Sequence, residues 1–533
     1  MAGSITTPGS VPSTRGVFTR ASSGLVRQVR TTDVLAFGFT TIALSYIVFT
    51  IAVWSAYPGA SMELATLFAI LGAVGIGASY ALFSAMYPRS GGEYVFLSRT
   101  LNPLVGFALS FSFAFWQMFY YGLNGAFFAQ FALSPTLAAI AVQMGNRSLL
   151  DAANWFGSGV GTFAAGLFLI ALMSFLHWRG AGTYFRWQRW AAVISIASIL
   201  LTAAVLVLTM VGVFHFQSNF NALAGSGAYD QVLADGEAAG VLPAPAFDLT
   251  QTMFFILWPA FSIWFAITAT SFSGEVKNVQ RGLLVGIVGS QILTGLVFIV
   301  MMFLYRNAFG NDFLLTAGAT GVPLDAPPFV PFFTAIAGGN VILSVLMSAW
   351  VILIALFVGG TVVPYATRAL LAWGIDGVAP SALAEVNDRY HSPHWAIAVT
   401  TIVGIVVLAL YCFTDLLGIV SGFFAFAISF AVVCLWATLF PYVRREQFEN
   451  SPIAMRIAGI PVLSLVGLLG TVASLFGAWR LWEDQLFTID RGFAIGGAFV
   501  VIIIGAVWYV VATAYRRSQG VDLAARYREI PIE

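Results

Sequence analysis

The chain has 533 residues, 59% of them hydrophobic and only 9% charged, with a mean hydropathy of +0.89 and a net charge of +1. A soluble domain carries charge at roughly a quarter of its positions, and a bare charge at the bilayer centre costs about 3 kcal/mol or more. The composition therefore excludes a soluble globular protein and describes a polytopic membrane protein in contact with lipid, and the balanced charge offers no nucleic-acid surface.

Residues 1–33 are polar, rich in Ser, Thr and Arg, and read as a disordered segment without the apolar core of a secretory signal. Twelve stretches without Asp, Glu, Lys or Arg follow, at 34–62, 64–88, 100–146, 152–178, 190–229, 249–274, 282–305, 326–367, 390–414, 416–443, 457–479 and 492–515. About 20 apolar residues cross a bilayer as a helix, so each is read as one span, numbered 1 to 12 in that order. Placing the N-terminal arginines inside puts 20 of the 24 Lys+Arg on the cytoplasmic side, while Asp+Glu divide 11 inside to 12 outside. That is the asymmetry basic residues impose on topology. It predicts cytoplasmic termini and a cytoplasmic (plasma) membrane location.

Span 1 carries a hydroxyl cluster, Thr40, Thr41 and Ser45. Between spans 2 and 3 the segment "YPRSGGEYVFLSR" gathers Arg89, Glu93 and Arg99 around two glycines. It reads as a turn in which Pro88 ends a helix, Gly91 and Gly92 bend, and Glu93 starts the next helix at its positive end. In span 3, Gln117, Tyr121 and Asn124 lie at i, i+4 and i+7, on one helical face with Tyr120 beside it. Segment 215–248 is polar, and the one between spans 7 and 8 reads as folding over the extracellular mouth or, like 215–248, as a plain connector. Span 6 contains Pro259, which removes a backbone hydrogen bond and predicts a break. Cys412 and Cys434 read as packing thiols, and the four histidines form no metal or catalytic set. No cofactor, metal or enzymatic centre is expected.

Four passages together resemble the amino acid–polyamine–organocation (APC) superfamily of secondary transporters. They are "PRSGGEYVFLSRTLNPLVGF"; "GEVKNVQR" from Gly274 to Arg281; Ala366 to Ala396; and "LLGIVSGFFAFAISF" with the following "YVRREQFENSPIAMRIAGIPV". The resemblance covers about 33–515 and implies an all-α fold of twelve transmembrane helices. It has two inverted five-helix repeats in 34–443, then a loop and two extra helices in 444–515, and a cytoplasmic tail at 516–533. Helices 1 and 6 are discontinuous in that fold, and the substrate sits between the breaks. The implied contacts are Thr40, Thr41, Ile42, Ala43, Leu44 and Ser45 on span 1, and Pro259, Ala260, Phe261, Ser262, Ile263 and Trp264 on span 6. The chain departs from the family where glycines of span 1 fall at Thr41, Ser45 and Ile47, and where span 6 lacks its glycine.

No span carries a carboxylate or ammonium near its middle, so broken helix ends are left to meet a substrate's charges. That chemistry suits a neutral, zwitterionic amino acid carried by alternating access. The alternatives are a permease for organic cations or polyamines, and a nutrient receptor on a transporter fold. Coupling to H+ or Na+ is open, as is exchange. At the cytoplasmic end, Arg89, Glu93, Glu275, Lys277 and Arg368 form a candidate gate in which Glu93 and the arginines pair with Glu275, Lys277 or Arg368.

Overall fold

The structure is a computed structural model that describes residues 24–324, 330–415, 422–483 and 491–528; the side chains of 42–52, 330 and 491 lie outside the described part. Among the described residues eleven helices are long and apolar enough to cross a membrane, and they coincide with spans 2 to 12. Span 1 is the 24-residue helix Thr31–Trp54. The three unusually long uncharged stretches each contain a single crossing. Span 3 runs as one helical rod from Pro103 to Met144, started by Asn102, whose side chain accepts from the amides of Leu104 and Val105. Span 5 is Ala181–Met210 and starts before its uncharged stretch, so Arg186 and Arg189 ride on its first turns, where long cationic side chains reach polar surroundings. The third stretch divides into a short helix, Val330–Ala337, and the 36-residue span 8, Val341–Asp376. Gly339, at φ +70, makes the turn, and Asn340 caps the amide of Leu343.

Span 6 is broken. It consists of Leu249–Phe255, Leu257–Trp264 and a 3-10 stretch Phe265–Glu275. Pro259 has no N–H for the Phe255 carbonyl, and the helix divides at Ile256. In the 3-10 stretch Thr268, Thr270 and Ser271 each bond the carbonyl three residues back, which matches the tighter winding. Span 1 does not show the expected interruption: Thr31–Trp54 is one continuous helix. It contains no proline, and Thr40 and Thr41 bond back to Ala36 and Phe37 carbonyls within their own turns.

The helices pack through small residues. A Cβ on Gly75 would stand 2.5 Å from the Gly470 amide nitrogen, bringing span 2 backbone-to-backbone with span 11. Both connectors singled out in the sequence are helical. Phe216–Ala224, Ala228–Ala238 and Asn311–Thr320 form a cap sealed by Tyr229 stacked on Phe313 at 4.7 Å and Phe216 on Phe309 at 4.2 Å. At the opposite end the chain before span 1 is pinned to the end of span 6. The amides of Gln28 and Val29 donate to the Glu275 carbonyl, and Lys277 N–H donates to Val29.

Candidate functional site

A cavity of about 100 Å³ opens where span 6 is broken, between spans 1, 3, 6, 8 and 10. Its apolar wall is Tyr120, Phe127, Phe131, Phe261, Phe265 and Phe423, with Val358 and Val362. Its polar wall is Thr41, Gln117, Asn124, Ser262, Thr268 and Thr361; among the described residues no charged side chain lines it. Each hydroxyl on that wall donates to a carbonyl of its own helix: Thr41 to Phe37 (2.6 Å), Ser262 to Trp258 (3.3 Å), Thr268 to Phe265 (2.8 Å), Thr361 to Val358 (2.7 Å). With those protons engaged, the oxygens present lone pairs to the cavity. Gln117 and Asn124 add amide groups that can donate as well as accept.

Of the residues named from sequence, Thr41, Gln117, Asn124, Phe261 and Ser262 line this cavity. Thr40 does not; it is buried one residue away and accepts from Gln188 Nε2 at 2.7 Å. Pro259, Ala260 and Ile263 are buried outside the lining, and Trp264 turns away to donate from its indole to Ala69 O at 3.3 Å. Ile42, Ala43, Leu44 and Ser45 fall among the side chains outside the described part. Tyr121 faces span 4, its hydroxyl bonded to Ile170 O and Ser174 Oγ, both at 2.9 Å. The stripe on span 3 runs Gln117, Tyr120, Asn124, Phe127 and Phe131. At 3.6 residues per turn that stripe centres on the Tyr120 side of Asn124, leaving Tyr121 at its edge. A π-helical turn, Phe128–Leu133, follows just ahead of Pro135 and sets the angle of Phe131. Such turns recur at functional sites; the residues here give no advance sign of it.

Span 8 links the cavity to the end of the molecule that carries Glu93. Thr361, Tyr365 and Arg368 lie at i, i+4 and i+7 on one face. Pro364 removes the N–H that would bond the Gly360 carbonyl. His177 of span 4 replaces it: Nε2 lies 2.9 Å from Gly360 O, so this nitrogen carries the proton, and Tyr184 stacks on the ring at 3.9 Å. In the sequence His177 stands only as a span-end histidine; the interior proline is the one clue to its role.

The end of the molecule that carries Glu93 holds buried polar pairs. Arg368 grips Glu275 with two bonds, 2.8 and 3.1 Å, both side chains at most 3% exposed. Arg99 grips Asp376 at 2.9 and 3.0 Å, and Tyr94 donates to the same carboxylate at 2.9 Å. Glu93 is fully buried and accepts from the Tyr365 hydroxyl. It therefore pairs with none of Glu275, Lys277 or Arg368. Lys277 is exposed, and Arg89 donates to the Pro88 carbonyl at 2.9 Å. Gly91, at φ +129, lets the loop donate to Ser271 O, and Ser273 Oγ returns a bond to Arg89 O. The Gly-Gly turn is thereby stitched to the 3-10 stretch. Burial pushes the Glu93 carboxyl up to about 7, the Tyr365 hydrogen bond opposing that rise.

The break in span 6 thus lies beside a cavity lined by spans 1, 3, 6, 8 and 10. The family model described as amino acid permease matches residues 30–509. The chain belongs to the amino acid permease family. Members are transporters, not enzymes, and the permease is an integral membrane protein. It is 26% identical over 470 residues to the branched-chain amino acid permease BcaP of Lactococcus lactis subsp. cremoris (strain MG1363), covering 85% of this chain and 90% of that one. It is 22% identical over 427 residues to the probable amino-acid permease meu22 of Schizosaccharomyces pombe (strain 972 / ATCC 24843), covering 78% and 66% respectively.

Proposed function

We propose that the permease carries neutral, zwitterionic amino acids across the cytoplasmic membrane by alternating access. The observation that carries this reading is the cavity lining, which among the described residues holds lone pairs, two amides and aromatic rings but no ionised side chain. A substrate ammonium is met by the oxygens of Thr41, Thr268 and Thr361, and its carboxylate by the amides of Gln117 or Asn124. The aromatic wall and Val358 and Val362 receive an apolar side chain, a class consistent with the branched-chain substrate in the name of the Lactococcus relative. A polycation would enter without an acidic partner. In this reading spans 1–5 and 6–10 are the two inverted repeats, and the buried pairs around Glu275 and Asp376 close the cytoplasmic side of the cavity.

Uptake of labelled amino acids into proteoliposomes, with and without Na+ and pH gradients, tests the proposal. Uptake and counterflow of neutral amino acids are expected, competed by branched-chain ones. Transport restricted to cationic substrates, or binding without counterflow, would overturn it; the latter is the behaviour of a receptor.

A further inference from the structure

Glu93 sits in an unusual place for a carboxyl group. It opens the helix Glu93–Thr100, outside the spans, yet it is 0% exposed. The neighbouring elements give it hydroxyls and no cation. Span 8 supplies Tyr365, whose hydroxyl donates to Oε1; span 2 supplies Tyr80, in electrostatic contact with the carboxyl. Span 3 brings Ser110 to the same group through Tyr365, and span 10 brings Cys434 to Tyr80. The arginines of this end are committed elsewhere: Arg368 to Glu275 on the 3-10 stretch, Arg99 to Asp376. Oε2 of Glu93 and the hydroxyl of Tyr80, both buried, have no hydrogen-bond partner among the described residues. An ionised carboxylate would be left there with the Tyr365 hydroxyl and its own backbone amide but no counter-charge, which is costly. A protonated carboxyl carries no charge and escapes that cost, so the enclosure favours the neutral acid.

This group is also wired to the cavity. Tyr365 packs on Phe113 at 4.4 Å, and Phe113 contacts Phe265 and Phe426 at 6.5 and 4.7 Å. Phe265 lines the cavity, as does Thr361, one turn above Tyr365 on span 8. The carboxyl lies between the 88–92 turn that precedes it and Tyr365 of span 8, the span that also lines the cavity through Thr361.

We propose that Glu93 is a proton-binding site coupled to transport, taking up a proton when its end of the permease is closed and releasing it when that end opens. The proposal rests on the transport reading above. Closed, the site excludes water and favours the neutral acid; opened, water solvates the carboxylate and returns it to the ordinary carboxylate range. The proton then leaves on the side where the substrate is released, and the two travel together. The titration midpoint expected from burial in the closed form is about 7.

Infrared difference spectroscopy of the purified protein, without substrate, tests the site directly. A protonated-carboxyl band is expected to disappear across neutral pH in the wild type and to be missing in Glu93→Gln. In Tyr365→Phe it should persist with a higher midpoint, because the hydroxyl that favours the carboxylate is gone. A titrating band unchanged in Glu93→Gln, or no carboxyl titrating near neutrality, overturns the proposal. In proteoliposomes, an acid-outside gradient should raise uptake of labelled leucine several-fold in the wild type and not in Glu93→Gln. Equal stimulation of both overturns the coupling. A wild type that moves no amino acid but retains the Glu93 band removes the transport reading and leaves the proton site standing.

Discussion

Pro364 has no N–H to give Gly360, and His177 supplies one from another helix. Removing that donor with His177→Phe leaves a buried carbonyl unpaired, at about 1–3 kcal/mol. A lower unfolding temperature is expected in a fluorescence-monitored melt, with weaker substrate binding because Thr361 follows Gly360 directly. At the cavity wall, Thr361→Val deletes the oxygen that the proposed binding mode aims at the ammonium, and about a tenfold loss of affinity is expected in direct binding titrations. Glu93 acts on stability with a definite sign. Its folded value lies near 7 against an ordinary 4.5, so between those values the folded form holds more protons than the unfolded one. Stability therefore falls as pH rises from 4.5 through 7, by a total on the order of 3 kcal/mol. Melting curves across this range should flatten in Glu93→Gln. A wild-type profile that rises with pH there would contradict the assigned shift.

The close approach of spans 2 and 11 depends on the missing side chain of Gly75. Gly75→Val has to push the backbones of these spans apart and is expected to cost about 1–3 kcal/mol in melting experiments. Gly497, with nothing within 4 Å of its notional Cβ, should tolerate the same change. These elements also mark how far the sequence can be read. The spans are legible because charge is excluded from hydrocarbon, and the break in span 6 because proline cannot donate. The continuity of span 1 is not, because the interruption is carried over from the family while the chain itself has no proline there. On span 3 the choice between Tyr120 and Tyr121 turns on helix rotation, which packing against the neighbouring helices decides: a Cβ on Gly404 of span 9 would lie 2.8 Å from the Tyr121 ring. The π-turn at Phe128–Leu133 leaves no composition signal at all.

At the scale of the whole molecule, the end that carries Glu93 buries paired charges, Arg368 with Glu275 and Arg99 with Asp376, beside the aromatic packing of Tyr365 and Phe113. Arg368→Gln or Glu275→Gln alone strands a buried charge, which costs about 3–5 kcal/mol. The double substitution removes both charges and is expected to recover much of that loss in a thermal-unfolding cycle; additive losses would show that the two side chains act separately. Of the charges the sequence groups at this end, Arg368 and Glu275 meet directly, whereas Lys277 stands apart from them, its place in the group resting on chain proximity alone. Its side chain is exposed, while its amide holds Val29 and its chain neighbours lead into Glu275. Lys277 is also the chain's single lysine. With the α-amine of the chain blocked, lysine-directed chemistry can therefore place one dye at the point where the N-terminal segment meets the broken helix, in the unaltered sequence, and the movement of this end becomes an optical signal that can be followed molecule by molecule.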